Sequence, residues 1–129
     1  MHEELKISVV VVARNEEDHL EDALISINSS KLSPAEIIVI DGDSTDRTVE
    51  IAKKYTDKVF VSKNSNLTED RQIGINKASH SLIAMIDADN RITKNTLSDM
   101  MSDLNKYNLD IVQAAIYAPG DDFWCKGGL

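Results

Sequence analysis

Two aspartates follow an apolar run in the second half of the chain. Residues 82–93 read LIAMIDADNRIT, so Asp87 and Asp89 are separated only by Ala88. In an extended segment the side chains of residues i and i+2 point to the same side, which would direct both carboxylates at one point. Mg²⁺ is usually bound by one or two carboxylates, waters and substrate phosphates, and Mn²⁺ accepts the same oxygen ligands. We therefore predict that Asp87 and Asp89 hold a divalent cation; the alternative is that they only cap a turn.

Polar residues also follow two earlier apolar runs. Residues 13–17 read ARNEE and residues 41–46 read DGDSTD. Asp, Gly, Ser and Thr favour turns and helix N-caps, which accounts for much of the second segment. We expect Asp41 to do more than shape the turn, because it ends a strand and its carboxylate can accept a hydrogen bond from a nucleobase N–H or a ribose hydroxyl.

Arginines near these segments are candidate ligands for an anion. Arg71 lies in TEDRQIGI, near the start of a predicted helix. Its guanidinium group would match the oxygens of a diphosphate, whereas the alternative is a solvated helix face. Arg14 and Arg91 have the same two interpretations.

Strand-like and helix-like segments alternate along the chain and would position these residues. Strands are predicted over residues 6–13, 36–41, 58–62, 82–86 and 110–117. Between them, helices are predicted over 44–55 and 68–78, together with one capped by Asn15 and one capped by Thr93. The predicted inner faces of these last two helices consist of Leu20, Ala23, Leu24 and Ile27, and of Leu97, Met100, Met101 and Leu104.

This alternation predicts βαβ crossovers and an α/β fold with a mostly parallel sheet and flanking helices. In open parallel sheets, ligands bind in the crevice beyond the carboxyl ends of the strands. The three polar segments all follow predicted strands, so we expect them to meet at that edge.

Length and composition limit the classes of function. The 129 residues fit one domain with a single core, and the net charge of −8 argues against a nucleic-acid partner. No apolar run approaches the roughly 20 residues of a transmembrane helix, and the N-terminus does not resemble a secretory signal. The single cysteine, Cys125, indicates a reducing compartment and hence a cytoplasmic protein. Peripheral association with the inner membrane surface and a homo-oligomer both stay open.

Three motifs resemble those of the family 2 glycosyltransferases, which have the GT-A fold. An apolar strand leading into Pro-x-Tyr-Asn-Glu corresponds here to SVVVVARNEE, and the common EIIVVDDGSTDGT corresponds to EIIVIDGDSTDRT. A third motif, ARNxGIxxAxGEYIxFLDADD, corresponds to DRQIGINKASHSLIAMIDADN. The resemblance covers residues 7 to about 93, in the same order. It implies the Rossmann-like, nucleotide-binding half of a GT-A fold.

The resemblance also implies an activity and roles for individual residues. Family members transfer a sugar from a nucleotide diphosphate sugar to an acceptor, with a divalent cation (Mg²⁺ or Mn²⁺) and inverting stereochemistry; the acceptor here is unknown. The residues that would bind the nucleotide sugar are Ala13, Arg14, Glu16, Asp41, Arg71 and Asp87, and those that would bind the metal are Asp87 and Asp89.

The chain departs from the family pattern at several positions. Arg14 replaces an aromatic residue, His80 replaces a glycine, and Gly42 and Asp43 interchange the usual Asp-Gly order at a uracil-type contact. Family members have their general base well beyond the third motif, and the catalytic base of this chain is unknown. Asp121 and Asp122, the carboxylates of the last segment, are the candidates. We expect residues 1–129 to form one nucleotide-sugar-binding domain without the acceptor-binding part. A non-catalytic module that binds a nucleotide sugar or a protein is the alternative.

Overall fold

The computed structural model describes residues 6–107, except for the side chains of residues 105 and 107. The elements in this range are β1 (Ile7–Ala13), α1 (Leu20–Asn28), β2 (Glu36–Asp41), α2 (Thr48–Lys53), β3 (Lys58–Val61), α3 (Leu67–Lys77), β4 (Leu82–Asp87) and α4 (Thr96–Tyr107). The four strands form a parallel sheet in the order β3-β2-β1-β4. The predicted parallel α/β fold is confirmed.

The register of the strands brings the three polar segments to one edge. Ala13 of β1 pairs with Asp41 of β2, and Val12 pairs with Asp87 of β4. Because the strands are parallel, the segments that follow β1, β2 and β4 all leave the sheet at this carboxyl edge. The predicted convergence of strand ends is therefore confirmed.

The central strand β1 is buried along its whole length and separates two apolar layers. Val9 and Val11 face a larger layer. This layer includes Leu20, Leu24 and Ile27 of α1, Ile51 and Ala52 of α2, and Leu97 of α4. Val10 faces a smaller layer against α3, where a Cβ on Gly74 would lie 2.2 Å from Val10 Cγ1. Glycine is needed at this position because α3 approaches the sheet so closely.

The predicted inner face of α1 is confirmed, and that of α4 is confirmed for three of its four residues, Leu104 being the exception. Leu20, Ala23, Leu24 and Ile27 of α1 are fully buried. In α4, Leu97 is fully buried and both Met100 and Met101 pack against the same layer. None of the described helices is both long and apolar enough to cross a membrane.

Several predicted boundaries were wrong for reasons that lie in the loops. Asn15 does not cap α1, which begins at Leu20; it has a left-handed φ of 51°. Its Oδ1 instead accepts a hydrogen bond from the backbone N–H of Thr45 at 2.8 Å. The second helix begins at Thr48 rather than at residue 44, because the preceding polar residues bind the loop after β1.

Two further boundaries differ by smaller amounts. α4 begins at Thr96, and Thr93 lies before it with its backbone N–H donating to Thr96 Oγ1 at 2.9 Å. β4 extends one residue beyond the prediction and includes Asp87. The strand predicted over residues 110–117 lies outside the described residues.

A buried carboxylate joins the strands at the opposite, amino edge of the sheet. Glu36 is buried, and its side chain accepts hydrogen bonds from Ser8 Oγ, Lys58 Nζ and the backbone N–H of Ser79. Burial alone would raise the pKa of Glu36, but the hydrogen bonds from Lys58, Ser8 and Ser79 outweigh it and lower the pKa to about 2. The ionised carboxylate thus links β1, β2, β3 and the segment before β4.

Candidate functional site

The segments after β1 and β2 are joined by hydrogen bonds into one structure, which we call the double loop (residues 14–17 and 42–48). The backbone N–H of Asn15 donates to Ser44 Oγ at 2.8 Å, and that of Glu16 donates to Thr48 Oγ1 at 2.9 Å. In return, Thr45 donates its backbone N–H to the Asn15 side chain. The double loop therefore presents a fixed surface at the carboxyl edge of the sheet.

Asp46 strengthens the double loop. Its side chain accepts hydrogen bonds from the hydroxyl and backbone N–H of Thr48 and from the backbone N–H of Glu17. These donors, the Thr48 hydroxyl above all, lower the pKa of the Asp46 carboxyl. The ionised carboxylate therefore holds the start of α2 against the loop after β1.

Asp41 is placed differently from the prediction. It has no exposed surface, and its two carboxylate oxygens accept from the backbone N–H and the hydroxyl of Ser44 at 2.8 and 2.6 Å. Alternation along β2 puts it on the face of Ile37 and Val39, which is the α1 face. Both oxygens of the Asp41 carboxylate are therefore used within the turn, contrary to the expectation that Asp41 does more than shape it. The buried side chain stabilises the double loop.

Two other predicted residues, Arg14 and Glu16, belong to the double loop, and a third, Ala13, directly precedes it. Ala13 is buried in the larger layer, and its carbonyl accepts from the backbone N–H of Gly42 at 2.8 Å. Glu16 is partly buried, with Oε1 at 3.5 Å from His19 Nδ1. Arg14 is exposed, and its Cδ lies 3.4 Å from the position that a Cβ of Gly42 would occupy. Arg14 thus lines the space in front of Gly42.

Arg71 and Asp87 meet at the same edge, on the α3 face. Nη2 of Arg71 lies 3.4 Å from Asp87 Oδ1, and the two side chains are 41% and 47% exposed. This distance exceeds that of a strong charge-assisted hydrogen bond. Nε of Arg71 is buried and has no acceptor among the described residues. The guanidinium group therefore has unused donors, as expected of an arginine that binds an anion.

Asp89 lies in a turn rather than in an extended segment. β4 ends at Asp87, and the backbone N–H of Asn90 donates to the Asp87 carbonyl at 3.1 Å. The argument from alternating side chains therefore holds only as far as Asp87. Asp89 is exposed just beyond it, and Arg91 is also exposed.

The carboxylates at this strand end suit a cation that arrives with a substrate. In residues 6–107, no three His, Cys, Asp or Glu side chains are grouped so that they could hold a metal ion. Asp87 and Asp89 thus provide at most two protein ligands, and water and phosphate oxygens would supply the others. This donor set fits Mg²⁺ or Mn²⁺ bound together with a diphosphate.

Asp70 lies next to Gly42 of the double loop, and the sequence reasoning did not single it out. It is only 5% exposed, and its Oδ1 accepts from the hydroxyls of Ser62 and Ser65. Its other oxygen, Oδ2, lies 3.2 Å from the position that a Cβ of Gly42 would occupy. The available signal was a charged residue in DRQIGI where the third motif has alanine. Asp121 and Asp122 lie outside the described residues.

Comparison with known proteins decides the family. The family model described as glycosyl transferase family 2 matches residues 8–126, which is most of the chain. The chain belongs to glycosyl transferase family 2. The resemblance inferred from the three sequence motifs is therefore confirmed.

Relatives of this chain include proteins named as transferases. Poly(ribitol-phosphate) beta-N-acetylglucosaminyltransferase TarS of Staphylococcus aureus is 26% identical over 116 residues, which cover 84% of this chain and 20% of TarS. Cholesterol galactosyltransferase of Borreliella burgdorferi is 29% identical over 117 residues, covering 87% of this chain and 33% of that protein. The chain thus spans a third or less of the length of these two relatives.

Solved structures share the fold of this family 2 chain. TarS 1–349 in complex with UDP-GlcNAc matches with a TM-score of 0.67 and 28% identity, over 81% of this chain and 32% of that one. Glucosyl-3-phosphoglycerate synthase from Mycobacterium tuberculosis, in a complex with Mn²⁺, UDP and glucosyl-3-phosphoglycerate, matches with a TM-score of 0.68 and 24% identity, over 78% and 39%. The GT-A architecture expected from the motifs is confirmed.

Proposed function

We propose that the described residues bind the donor of a glycosyltransferase that uses a nucleotide diphosphate sugar. The observation that carries this proposal is the under-satisfied Arg71 beside Asp87, at the carboxyl edge of the sheet in a family 2 chain. A guanidinium with unused donors next to half-exposed carboxylates suits a diphosphate that carries a divalent cation. TarS, which was crystallised with UDP-GlcNAc, makes a UDP-sugar the first donor to test.

We assign the nucleoside to the double loop. Arg14 is exposed, and a guanidinium can lie flat on a nucleobase in place of the aromatic residue common in the family. Ala13 and Asp41 have buried side chains, so they act by shaping the loop rather than by direct side-chain contact. Glu16 is only partly buried, and its carboxylate is placed at the loop to accept a hydrogen bond from a ribose hydroxyl.

We assign the diphosphate to Arg71 and the cation to Asp87 and Asp89. A bound Mg²⁺ or Mn²⁺ would offset the charge that develops on the departing nucleoside diphosphate. Arg71 compensates Asp87 in the structure, and a phosphate group would give its unused donors better acceptors. Transfer with inversion to an acceptor is expected of the whole enzyme, whereas we place only donor binding in the described residues.

Calorimetric titration tests donor binding directly. UDP, GDP and dTDP are titrated into the unaltered chain with and without Mn²⁺. We expect Mn²⁺ to strengthen binding at least 10-fold and Asp89→Ala to remove that gain, because one of two carboxylate ligands is lost. Asp57→Ala is the matched control, since Asp57 is an exposed aspartate before β3 at the opposite edge.

The outcome of the titration separates the hypotheses. Failure of all three nucleotides to bind, with and without Mn²⁺, would contradict donor binding. Release of UDP from UDP-GlcNAc, measured by a coupled assay, then distinguishes a transferase or donor hydrolase from a module that only binds the donor.

A further inference from the structure

The backbone conformation at position 42 does not explain why this residue is a glycine. The second motif commonly reads DDGSTD, and here it reads DGDSTD, so Gly42 stands where an aspartate is usual. The left-handed residue of this turn is Asp43, with φ 65°, whereas the φ of Gly42 lies outside the left-handed region. The turn therefore does not require glycine at position 42.

The space in front of Gly42 is occupied by another carboxylate. A Cβ at this position would lie 3.2 Å from Asp70 Oδ2 and 3.4 Å from Arg14 Cδ. An aspartate at position 42 would therefore bring a second negative charge against Asp70. Relative to the motifs, the loop aspartate stands at position 43 instead of 42, and the chain has an additional carboxylate at position 70. Positions 42 and 70 adjoin in space.

The Asp70 carboxylate is fixed in orientation and has one oxygen available. Oδ1 accepts from the hydroxyls of Ser62 and Ser65, and these two hydroxyls also contact each other at 2.8 Å. Oδ2 accepts no hydrogen bond from the described residues. Among the described residues, Arg71 Nε is the only fully buried side-chain polar atom that lacks a hydrogen-bond partner. Since Oδ2 of Asp70 also lacks a partner, it is not fully buried and retains access to solvent. Oδ2 is thus a rigid acceptor beside Arg14.

We propose that Asp70 determines the nucleobase of the donor by accepting a hydrogen bond from an imide N–H, as uracil N3–H provides. The inference rests on the proposed donor site and specifies what that site recognises. Cytosine has no proton on N3 at neutral pH and presents a lone pair there, so a carboxylate at this place discriminates against it. Asp70 on α3 thereby supplies the acceptor that position 42 of the β2 loop does not.

Asp70→Asn tests the inference without changing the size of the side chain. The two serine hydroxyls hold the acceptor oxygen of the amide at the Oδ1 position, which leaves the amide N–H₂ at the Oδ2 position. We expect UDP to bind about 10- to 100-fold more weakly, because a hydrogen bond to a charged group is replaced by two opposed donors. CDP should gain relative to UDP, since its N3 lone pair then meets a donor. Asp57→Asn is the matched control.

A second pair of variants returns the carboxylate to the loop. Asp70→Ala alone should weaken UDP binding, and Gly42→Asp combined with Asp70→Ala should restore it to within about 3-fold of the unaltered chain. Gly42→Asp alone should not bind UDP well, because two carboxylates then share one space. Restoration by the double variant would show that UDP binding depends on a carboxylate at this place. A purely structural role of Asp70 does not predict such a restoration.

The results distinguish this inference from the proposed function. Failure of the unaltered chain to bind any nucleoside diphosphate overturns both. If the unaltered chain binds UDP while Asp70→Asn leaves the ratio of UDP to CDP affinity unchanged, donor binding stands and the role of Asp70 is refuted. A double variant that binds UDP no better than Asp70→Ala refutes it as well.

Discussion

Substitution of Glu36 by glutamine should change how the stability of the protein depends on pH. Glu36 is buried at the amino edge of the sheet, where Ser8, Lys58 and Ser79 donate hydrogen bonds to its carboxylate. Glutamine keeps the size of the side chain but has no charge for Lys58 to stabilise. The variant therefore isolates the contribution of the ionised group.

The magnitude follows from the pKa of Glu36, which falls from 4.5 to about 2 on folding. Each pKa unit corresponds to about 1.4 kcal/mol, so ionised Glu36 contributes about 3 kcal/mol to the free energy of unfolding at neutral pH. Because the folded pKa is the lower one, the contribution is complete above the unfolded pKa of 4.5. It is lost as pH falls from 4.5 towards 2.

Urea denaturation followed by far-ultraviolet circular dichroism measures this effect. The difference in unfolding free energy between the unaltered chain and Glu36→Gln should be about 3 kcal/mol larger at pH 7 than at pH 2, with roughly two-thirds of that change already lost at pH 3. Glu50→Gln is the control, because Glu50 is an exposed glutamate paired with Arg47 on α2. A difference that stays constant between pH 7 and pH 2 would refute the reasoning.

Two further predictions concern packing and the double loop. Gly74→Ala should lower the free energy of unfolding by about 1–3 kcal/mol, because the alanine Cβ would lie 2.2 Å from Val10 Cγ1. Helix propensity alone would instead stabilise the protein, so a higher stability in urea denaturation would contradict this prediction. Asn15→Ala should cost about 1–2 kcal/mol in the same assay by removing the acceptor for the Thr45 N–H, whereas Asn15→Asp keeps an acceptor and should retain most of the stability. Equal losses in the two Asn15 variants would show that the Thr45 hydrogen bond is not the cause.

The sequence was sufficient to predict the four described strands and their parallel arrangement because those features depend on local periodicity. Glu36–Asp41 is a run of apolar and β-branched residues bounded by turn formers, and its limits were predicted correctly. The start of α1 could not be predicted in this way. Asn15 has the side chain of an N-cap, but it binds Thr45, which is 30 residues away in sequence.

The site shows the same division between local and long-range causes. Asp87 and Arg71 were identified from residue type and motif, and the structure brings them together across a separation of 16 residues. Asp70 was missed because its position matters only in relation to Gly42, and no periodicity connects the two. The burial of Asp41 was missed because its partner Ser44 also fits an ordinary turn.

The hydrogen bonds of the double loop have a consequence for protein engineering. Backbone groups of residues 15–17 bind side chains of residues 44–48, and two side chains of the first segment, Asn15 and Glu17, bind the backbone of the second. A chimaera that takes only one of these segments from a homologue would pair unmatched donors and acceptors. Donor preference should therefore be transplantable only when both segments are exchanged together, with position 70 chosen to match position 42.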